Sequence, residues 1–329
     1  MLILSEQQIR SIYTIKDAIN DLKESIVSKV NGNVKNPLRT VIEFPKKKAS
    51  ALYMPSSNTF LEKMSVKIVT IFPDNPKKGL KTTQGVIVLS DANSGEHVAL
   101  LNATYLTRVR TGALSAIATE KLARIDSSIL CVIGCGAMAE EQLLGILEVS
   151  PIQKIYLYNR TIEKAYQFAE RVKLIAPHFK GIVEVVDDPN IAVRHSHIVI
   201  CSTRSETPVF SGDSLMPGTH INGIGSYLPN MQEVDEKTLL KCSKIVVDTI
   251  EGVKEEAGDF IIPVNKGVWS FSNIHGEIGD LLVGNVEGRK NDNEITFFKS
   301  VGMAYFDLAV AAGVYQKATK HNVGTRVEL

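Results

Sequence analysis

A turn rich in small residues near the middle of the chain has the spacing that nucleotide phosphates require. It consists of Gly134, Gly136 and Ala139, and it directly follows the apolar segment 129–133, which predicts a buried strand. Gly134 can adopt backbone angles that a side chain forbids, and Gly136 leaves room for a pyrophosphate to approach the backbone. Ala139 lets the next helix pack closely, and the positive N-terminal end of that helix suits a phosphate. The turn therefore predicts a dinucleotide site.

The end of the next predicted strand indicates which dinucleotide this would be. Strand 155–158 is followed by Asn159, Arg160 and Thr161. They lie at the distance from the turn at which dinucleotide-binding folds place the side chain that recognises the ribose. An acidic residue there would bind the ribose 2′-hydroxyl of NAD and repel a 2′-phosphate. Asn and Arg instead offer donors and a positive charge, although a solvated arginine after a strand is a common alternative. We predict NADP(H) as the preferred cofactor, with NAD(H) as a second choice.

Three basic residues outside the turn could bind a carboxylate and move a proton. Arg39 opens one predicted strand, Lys67 lies inside another, and Arg110 lies on a helix that leads into the nucleotide-binding part. A guanidinium fork matches a carboxylate, and a lysine desolvated near other cations has its pKa lowered toward neutrality, which suits proton transfer. The simpler interpretation is that each is a surface charge, with Lys67 facing water from a strand whose neighbouring side chains face the core.

The elements that must position these residues fall into two differently patterned parts. The first part predicts one helix over 5–30, a mobile loop at Pro73–Gly79, and strands joined by tight turns, hence an antiparallel sheet, at 39–44, 49–54, 65–72, 85–89 and 97–101. Between 116 and 302 strands and helices alternate, which predicts a Rossmann-type doubly wound parallel sheet. A final helix over 304–320 is expected to return to the first part. The predicted fold class is α/β, with a smaller α+β domain of residues 1–115 and 303–329 beside a dinucleotide-binding domain of 116–302.

Composition narrows the function further. The 329 residues are 44% apolar and carry a net charge of +1, so the chain can build two cores and has no field that would attract nucleic acid or an anionic membrane. No apolar run reaches transmembrane length, and the first residues lack the pattern of a signal peptide. The four cysteines show no metal-type spacing. These features predict a cytoplasmic protein that holds no metal.

Several short strings along the chain together resemble the ornithine cyclodeaminase/μ-crystallin family. In chain order they are Pro37–Arg39, Met54-Pro55, Val66-Lys67, Thr82–Gly85, Leu106–Gly112, the glycine turn, Asn222–Ser226, Glu277–Asp280, Ser300–Gly302 and Asn322–Thr325. The resemblance runs over nearly the whole chain in one order. It implies a homodimer, with a nicotinamide cofactor on the nucleotide-binding domain and an α-amino or α-imino acid beneath the nicotinamide. The smaller domain would then bind substrate and form the dimer.

The same resemblance implies roles for individual residues. Residues matching Arg39, Lys67 and Arg110 hold the substrate carboxylate, and the lysine is placed to move protons, so Lys67 is the predicted catalytic residue. Met54, Ser226 and Tyr227 complete the predicted substrate site. The predicted cofactor contacts are Thr83, Arg110, Gly134, Gly136, Ala137, Met138, Asn159, Arg160, Thr161, Thr203, Asn222, Gly225 and Val301.

One departure from the family pattern affects the predicted reaction. Ornithine cyclodeaminases, and the alanine dehydrogenase of the same fold, carry an acid/base aspartate shortly after the Asn-x-x-Gly string, where this chain has Tyr227 beside Ser226. A phenol, whose ordinary pKa is about 10, is a poor base at neutral pH. In this feature the chain resembles the ketimine reductase branch. Reducing a preformed imine needs a carboxylate anchor, a hydride from the nicotinamide, and one proton that Lys67 could supply.

Three functional hypotheses follow. The leading one is an NADP-preferring reductase of small cyclic or linear α-imino acids, of the ketimine or pyrroline-2-carboxylate type, whose reverse reaction would be that of an amino-acid dehydrogenase. The first alternative is an ornithine cyclodeaminase, which converts ornithine to proline and ammonia. The second alternative is a protein that binds NADPH and a small effector with little turnover.

Overall fold

The computed structural model describes residues 1–328. The strands are β1 (Leu2–Leu4), β2 (Val34–Lys35), β3 (Thr40–Phe44), β4 (Ala49–Asn58), β5 (Lys63–Ile71), β6 (Thr83–Asp91), β7 (His97–Asn102), β8 (Ile129–Ile133), β9 (Lys154–Tyr158), β10 (Ile182–Val185), β11 (Ile198–Cys201), β12 (His220–Gly223), β13 (Lys244–Val247), β14 (Gly276–Glu277), β15 (Thr296–Lys299) and β16 (Thr325–Arg326). The α-helices are α1 (Glu6–Ile12), α2 (Ile15–Val30), α3 (Ala103–Leu122), α4 (Ala139–Val149), α5 (Ile162–Ile175), α6 (Pro189–Arg194), α7 (Glu236–Lys241), α8 (Ile250–Glu256), α9 (Gly258–Asn265), α10 (Ile278–Val283) and α11 (Ala304–His321).

The chain forms two compact units. The first combines Met1–Arg110 with Met303–Leu329, and the second is Thr111–Gly302. The boundary between them falls inside α3, a few residues before the position expected from the sequence. Among the described residues, no helix combines the length and the apolar character needed to cross a membrane.

The first unit is built on one sheet with the strand order β16-β1-β7-β6-β5-β4-β2, and β3 pairs with β4 as well. The run from β3 to β7 is antiparallel, as its tight turns predict. The pairing of β1 with β7 is parallel, and neither β1 nor β16 was expected, because two- and three-residue strands carry too little pattern to detect. Helices α2 and α11 pack together and cover this sheet, so the final helix returns to the first unit as predicted.

The prediction of one helix over 5–30 is wrong. Tyr13 is buried and has an extended backbone, and its N–H donates to the carbonyl of Ile9, which ends α1. Thr14 then starts α2 through a capping box: its hydroxyl accepts from the N–H of Asp17, and the Asp17 carboxylate accepts from the N–H of Thr14 at 2.8 Å. The Thr-x-x-Asp pattern was visible in the sequence, and it outweighed a continuous apolar periodicity.

The segment Pro73–Gly79, predicted as a loop, contains a short 3-10 helix over Asn75–Lys78. Pro76 lies in its first turn, where the missing N–H costs nothing, and Gly79 ends it in the left-handed conformation with φ +70°. The two features that indicated a loop, proline and glycine, here begin and end a helical turn.

The second unit is a parallel sheet with the strand order β10-β9-β8-β11-β12-β15-β13-β14. Alternate side chains of its central strands face two separate apolar clusters, one with α4 and α5 and the other on the opposite face. The predicted α/β fold, with a Rossmann-type doubly wound sheet, is therefore confirmed. The order reverses between β8 and β11, and in such sheets ligands bind outside the carboxyl ends of the strands at the reversal.

Candidate active site

Lys67 is buried in the first unit, with its side chain 3% exposed. On β5 its neighbours across the sheet are Met54 and Ile87, both apolar and buried. The face that carries Lys67 is covered by α11. The interpretation of Lys67 as a solvent-facing strand residue is therefore wrong, because this lysine, and not its neighbours in the strand, faces the interior.

Asp307 on α11 is the counter-ion that makes this burial tolerable. The Lys67 Nζ donates to Asp307 Oδ2 at 2.6 Å, and Arg110 Nε lies 3.4 Å from Asp307 Oδ1. Arg110 is also buried, with 6% of its surface exposed. Burial lowers the pKa of Lys67 to about 8, Asp307 opposes this shift, and the charges of Arg110 and Arg39 add to it. We call Lys67, Arg110 and Asp307 the lysine-67 cluster.

The other predicted residues of the first unit lie nearby or on the same sheet. Arg39 is half-buried just before β3, close enough for its charge to act on Lys67. Met54 is paired directly with Lys67 across the β4–β5 ladder. Thr83 starts β6, and its buried hydroxyl makes no hydrogen bond with another described residue. Arg39, Met54 and Arg110 are thus brought to one lysine, as a carboxylate and proton site requires.

In the second unit the glycine turn leaves β8 at the strand-order reversal. Gly134 has φ +96°, and a Cβ atom on it would lie 2.8 Å from Cγ2 of Thr203, the second residue after β11. Glycine is therefore needed there for both its backbone angle and its contact. A Cβ on Gly136 would meet no protein atom within 4 Å, and both Gly136 and Ala137 are exposed. The turn thus presents an open backbone surface.

That surface fits the pyrophosphate of a dinucleotide. Helix α4 follows, and its N-cap residue Met138 makes no side-chain capping hydrogen bond. Among the hydrogen bonds of the described residues, none is donated by the backbone N–H groups of Gly136, Ala137 and Met138. Free N–H groups at a helix N-terminus attract phosphate oxygens, so these residues would hold the pyrophosphate of NAD(P).

The end of β9 lies beside the turn. The Asn159 amide oxygen accepts from the N–H of Cys135 at 3.1 Å, and its nitrogen donates to the carbonyl of Thr161 at 2.8 Å. Asn159 therefore ties the turn to the strand end, which restricts it as a donor to a cofactor. Arg160 is exposed, and Thr161 starts α5 without using its hydroxyl as a cap.

Ser226, predicted to touch substrate, is wholly buried in the second unit. Its hydroxyl donates to Asp259 and accepts from Lys299 Nζ at 2.6 Å. Lys299 also donates to the Ser226 carbonyl at 2.7 Å and pairs with Asp259 Oδ2 at 2.7 Å. This arrangement assigns Ser226 to the interior. Its role as a substrate contact stays a prediction that the geometry does not favour.

Glu233 completes this buried group, which we call the lysine-299 cluster: Ser226, Glu233, Asp259 and Lys299. One Glu233 oxygen accepts from the N–H and hydroxyl of Thr203, at 2.5 and 2.8 Å, and the other from the N–H groups of Gly225 and Ser226, at 2.8 and 3.0 Å. Burial raises the pKa of Glu233, while the Lys299 charge and the Thr203 donors oppose this. Glu233 thereby fixes the turns after two adjacent strands, β11 and β12, at the edge that carries the glycine turn.

The remaining predicted residues lie at the same edge or next to it. Asn222 is buried on β12, and its amide donates to the hydroxyl of Thr119 at 3.0 Å. Val301 follows β15, and its N–H donates to the buried carboxylate of Asp248 at 2.9 Å. Tyr227 is half-buried.

Sequence reasoning missed the acidic partners and the second lysine. Asp307 is 240 residues from Lys67, and nothing in α11 distinguished it from a surface carboxylate. Lys299, however, gave a signal similar to that of Lys67, a lysine beside apolar strand residues, although Lys67 lies inside its strand and Lys299 ends one. That signal could have drawn attention to Lys299, but it could not have shown that Lys67 and Lys299 differ in role.

The fold, the glycine turn and the lysine-67 cluster define a class: a protein with a dinucleotide-type turn in one unit and a buried lysine and arginine in the other. The model of the ornithine cyclodeaminase/mu-crystallin family matches residues 1–322, and the chain belongs to this family. The resemblance drawn from the sequence strings is therefore confirmed.

Relatives of known activity are similar over the full length. A Delta(1)-pyrroline-2-carboxylate reductase of Bacillus cereus is 40% identical over 328 residues, which cover 100% of both chains. The structure of the Thermococcus litoralis Delta(1)-pyrroline-2-carboxylate reductase, in complex with NADH and L-proline, has a TM-score of 0.94 at 39% identity and covers 99% of this chain and 100% of that one. An archaeal alanine dehydrogenase dimer with bound NAD has a TM-score of 0.92 at 33% identity, covering 100% of this chain and 99% of the other.

Proposed function

We propose that this protein is a nicotinamide-dependent reductase of small cyclic α-imino acids, with pyrroline-2-carboxylate as the leading substrate. The observation that carries the proposal is the lysine-67 cluster, in which a protonatable lysine lies beside a buried arginine in a chain that carries a dinucleotide turn. Full-length similarity to reductases of this substrate supports it. The balanced reaction is imine plus NAD(P)H plus one proton, giving the amine and NAD(P)⁺.

The chain's own residues would divide the work as follows. Arg110 and Arg39 bind the carboxylate of the imino acid and so fix its reacting carbon. The Lys67 ammonium donates a hydrogen bond to the imine nitrogen and gives it the proton that keeps it cationic. The nicotinamide, when bound, supplies the hydride. Because the pKa of Lys67 is about 8, the lysine is mostly protonated at neutral pH yet can release its proton.

Cofactor choice is the finer part of the proposal. We place the 2′-phosphate of NADP(H) on Arg160, with the Thr161 hydroxyl as a further donor, since both are exposed after β9 and none of the three residues that follow the strand is acidic. The Asn159 amide already hydrogen-bonds to Cys135 and Thr161, so it contributes less to binding of the 2′-phosphate than the sequence suggested. The two solved relatives hold NADH and NAD, so we propose that this chain accepts both forms and prefers NADP(H).

We also propose a homodimer that forms through the first unit. All five residues of β3 are exposed, and Val41, Ile42 and Phe44 remain 40–47% exposed. An edge strand with three large apolar side chains is costly to leave in water. Sedimentation of a monomer at micromolar concentration would contradict this proposal.

The four free cysteines suit the reducing cytoplasm as the compartment.

The function is tested by assaying the purified protein with NADPH and with NADH against pyrroline-2-carboxylate, its six-membered homologue, and pyruvate with ammonia. We expect net cofactor oxidation with the cyclic imino acids, formation of proline from the five-membered one, and a higher kcat/KM with NADPH. Ammonia and proline from ornithine without net change in cofactor would instead establish a cyclodeaminase. Tight NADPH binding with no turnover on any substrate would establish a binding protein.

A further inference from the structure

We infer that Asp307 is a positioning residue of the reaction: it aims the Lys67 ammonium and keeps it charged, while leaving Arg110 available to the substrate carboxylate. This inference rests on the proposed function and extends it to a residue for which neither the family resemblance nor the relatives supply a role. It depends on where Asp307 lies, on which of its atoms make contacts, and on what surrounds Lys67.

Asp307 lies at the N-terminal end of a helix, where a carboxylate is favourable. It lies in the first turn of α11, whose N-cap residue Met303 makes no side-chain capping hydrogen bond. The Asn36 side chain accepts from the N–H of Tyr305 in the same turn at 2.8 Å. A carboxylate in the first turn is stabilised by the positive end of the helix dipole. The side chain is wholly buried, so its charge acts in a medium that screens it poorly.

The two oxygens of Asp307 have different tasks. Oδ2 accepts from Lys67 Nζ at 2.6 Å, which fixes the end of a side chain that otherwise turns freely about four bonds. Oδ1 accepts no hydrogen bond from any described residue and lies 3.4 Å from Arg110 Nε, a charge contact on one edge of the guanidinium. A guanidinium has five donors in a planar fork, so a second carboxylate can bind Arg110 along another edge.

The surroundings of Lys67 show why the carboxylate is needed. The strands on either side present Met54 and Ile87, which are apolar. Arg110 and Arg39 carry the other charges that act most strongly on Lys67, and both favour its neutral form. Burial does the same. Asp307 is therefore the group that holds Lys67 protonated, and a neutral Lys67 could not give a proton to the imine.

The test compares Asp307→Asn, which keeps the shape and removes the charge, with Asp307→Glu, which keeps the charge and moves it by one carbon. For Asp307→Asn we expect kcat/KM for the imino acid to fall at least tenfold at pH 7.5. In the plot of kcat/KM against pH, the decrease on the alkaline side (the alkaline limb) should begin at least one pH unit below its wild-type position of about 8. For Asp307→Glu we expect the limb to stay near 8, KM to change little, and kcat to fall. The matched control is Asp21→Asn, which changes a half-buried carboxylate of the same unit that accepts from the Tyr13 hydroxyl, and it should leave the alkaline limb in place.

A direct readout is the titration of Lys67 Nζ by NMR of ¹⁵N-lysine-labelled, cofactor-free protein, assigned through Lys67→Arg. The inference predicts a lower Lys67 pKa in Asp307→Asn than in the wild type. An unmoved limb together with an unmoved titration would overturn it. If Asp307→Asn does not fold, an Asp307→Glu enzyme with wild-type kcat would overturn it equally. A wild type without imine reduction would sink the proposed function instead, and the titration would still decide the role of Asp307.

Discussion

Each unit of this protein buries a lysine against carboxylates, and the two clusters differ in how completely their hydrogen bonds are satisfied. An ammonium has three donors. Lys299 meets three acceptors, the Ser226 carbonyl, the Ser226 hydroxyl and Asp259. Among the described residues, Lys67 meets one, Asp307. The difference teaches that a buried lysine by itself does not mark a reactive site, whereas one with unused donors does.

The carboxylates differ in the same way. Both oxygens of Glu233 and both of Asp259 accept from backbone N–H groups or buried side chains. Oδ1 of Asp307, by contrast, has only the charge contact with Arg110 among the residues that the structure describes. The lysine-299 cluster is closed, and we assign it to holding the turns after β11 and β12. The lysine-67 cluster is open, and we assign it to binding an anion and moving a proton.

The largest effect should come from Lys67→Met. Loss of the proton donor should lower kcat/KM for the imino acid by about 10²–10⁴-fold, while the free energy of unfolding should fall less than in the corresponding Lys299→Met, because Asp307 keeps the charge of Arg110 beside it. Steady-state kinetics and urea denaturation measure the two. Lys67→Arg should recover KM more than kcat, since a guanidinium cannot release its proton near neutral pH. A nearly intact kcat/KM in Lys67→Met would show that the lysine-67 cluster is no more reactive than the lysine-299 cluster, and it would contradict the assignment of Lys67 as the proton donor.

The same substitution in the closed cluster should act on stability. Lys299→Met leaves Glu233 and Asp259 buried without their cation, so we expect a loss of about 3–5 kcal/mol in the free energy of unfolding. Urea denaturation checks this, with Lys237→Met as the control, because Lys237 pairs with Asp213 at the surface and should leave the midpoint unchanged. A Lys299→Met protein as stable as the wild type would show that the cluster does not hold the fold.

A third prediction sharpens the division of labour, because the second unit should contribute cofactor binding and not proton transfer. Arg160→Ala should weaken NADPH by about ten- to a hundredfold, the equivalent of roughly 1.5–3 kcal/mol for a charge-assisted contact, and should leave NADH nearly unchanged. Fluorescence titration with both cofactors measures this. Arg194→Ala, an exposed arginine on α6, is the control. Equal losses for NADPH and NADH would remove Arg160 as the phosphate site.

The smallest effect should come from Tyr227→Phe. If Lys67 supplies the proton, removal of the phenol should change kcat/KM by less than about threefold. The measurement is the same imino-acid assay. A loss as large as that in Lys67→Met would transfer the proton donor from the open cluster to Tyr227.

Much of this arrangement could be predicted from the sequence because the relevant signals are local. The alternation of apolar strands and helices predicts the parallel sheet, and the spacing of Gly134, Gly136 and Ala139 predicts the turn that the structure places at the strand-order reversal. The family strings predict that Lys67 and Arg110 act together, and they lie on either side of Asp307.

What the sequence could not provide are contacts between distant segments. Asp307 and Glu233 look like surface carboxylates until the fold places them. The sequence also gives no sign that the Ser226 hydroxyl lies between Asp259 and Lys299. The break between α1 and α2 is different, since its capping box was visible in the sequence, but the prediction followed the apolar periodicity instead. Burial and pairing, not residue type, decide which charges are reactive.

The most direct test of the open cluster is the dependence of kcat/KM on pH for the wild type and Lys67→Arg with the same imino acid. Because the protonated form of Lys67 is the donor, wild-type imine reduction should fall tenfold per pH unit above about pH 8. Titration of the substrate affects the pH profiles of both enzymes alike. The kcat/KM of Lys67→Arg should therefore be lower at every pH, and its decrease above pH 8 should be absent. An unchanged limb in Lys67→Arg would contradict the assignment of Lys67 as the proton donor.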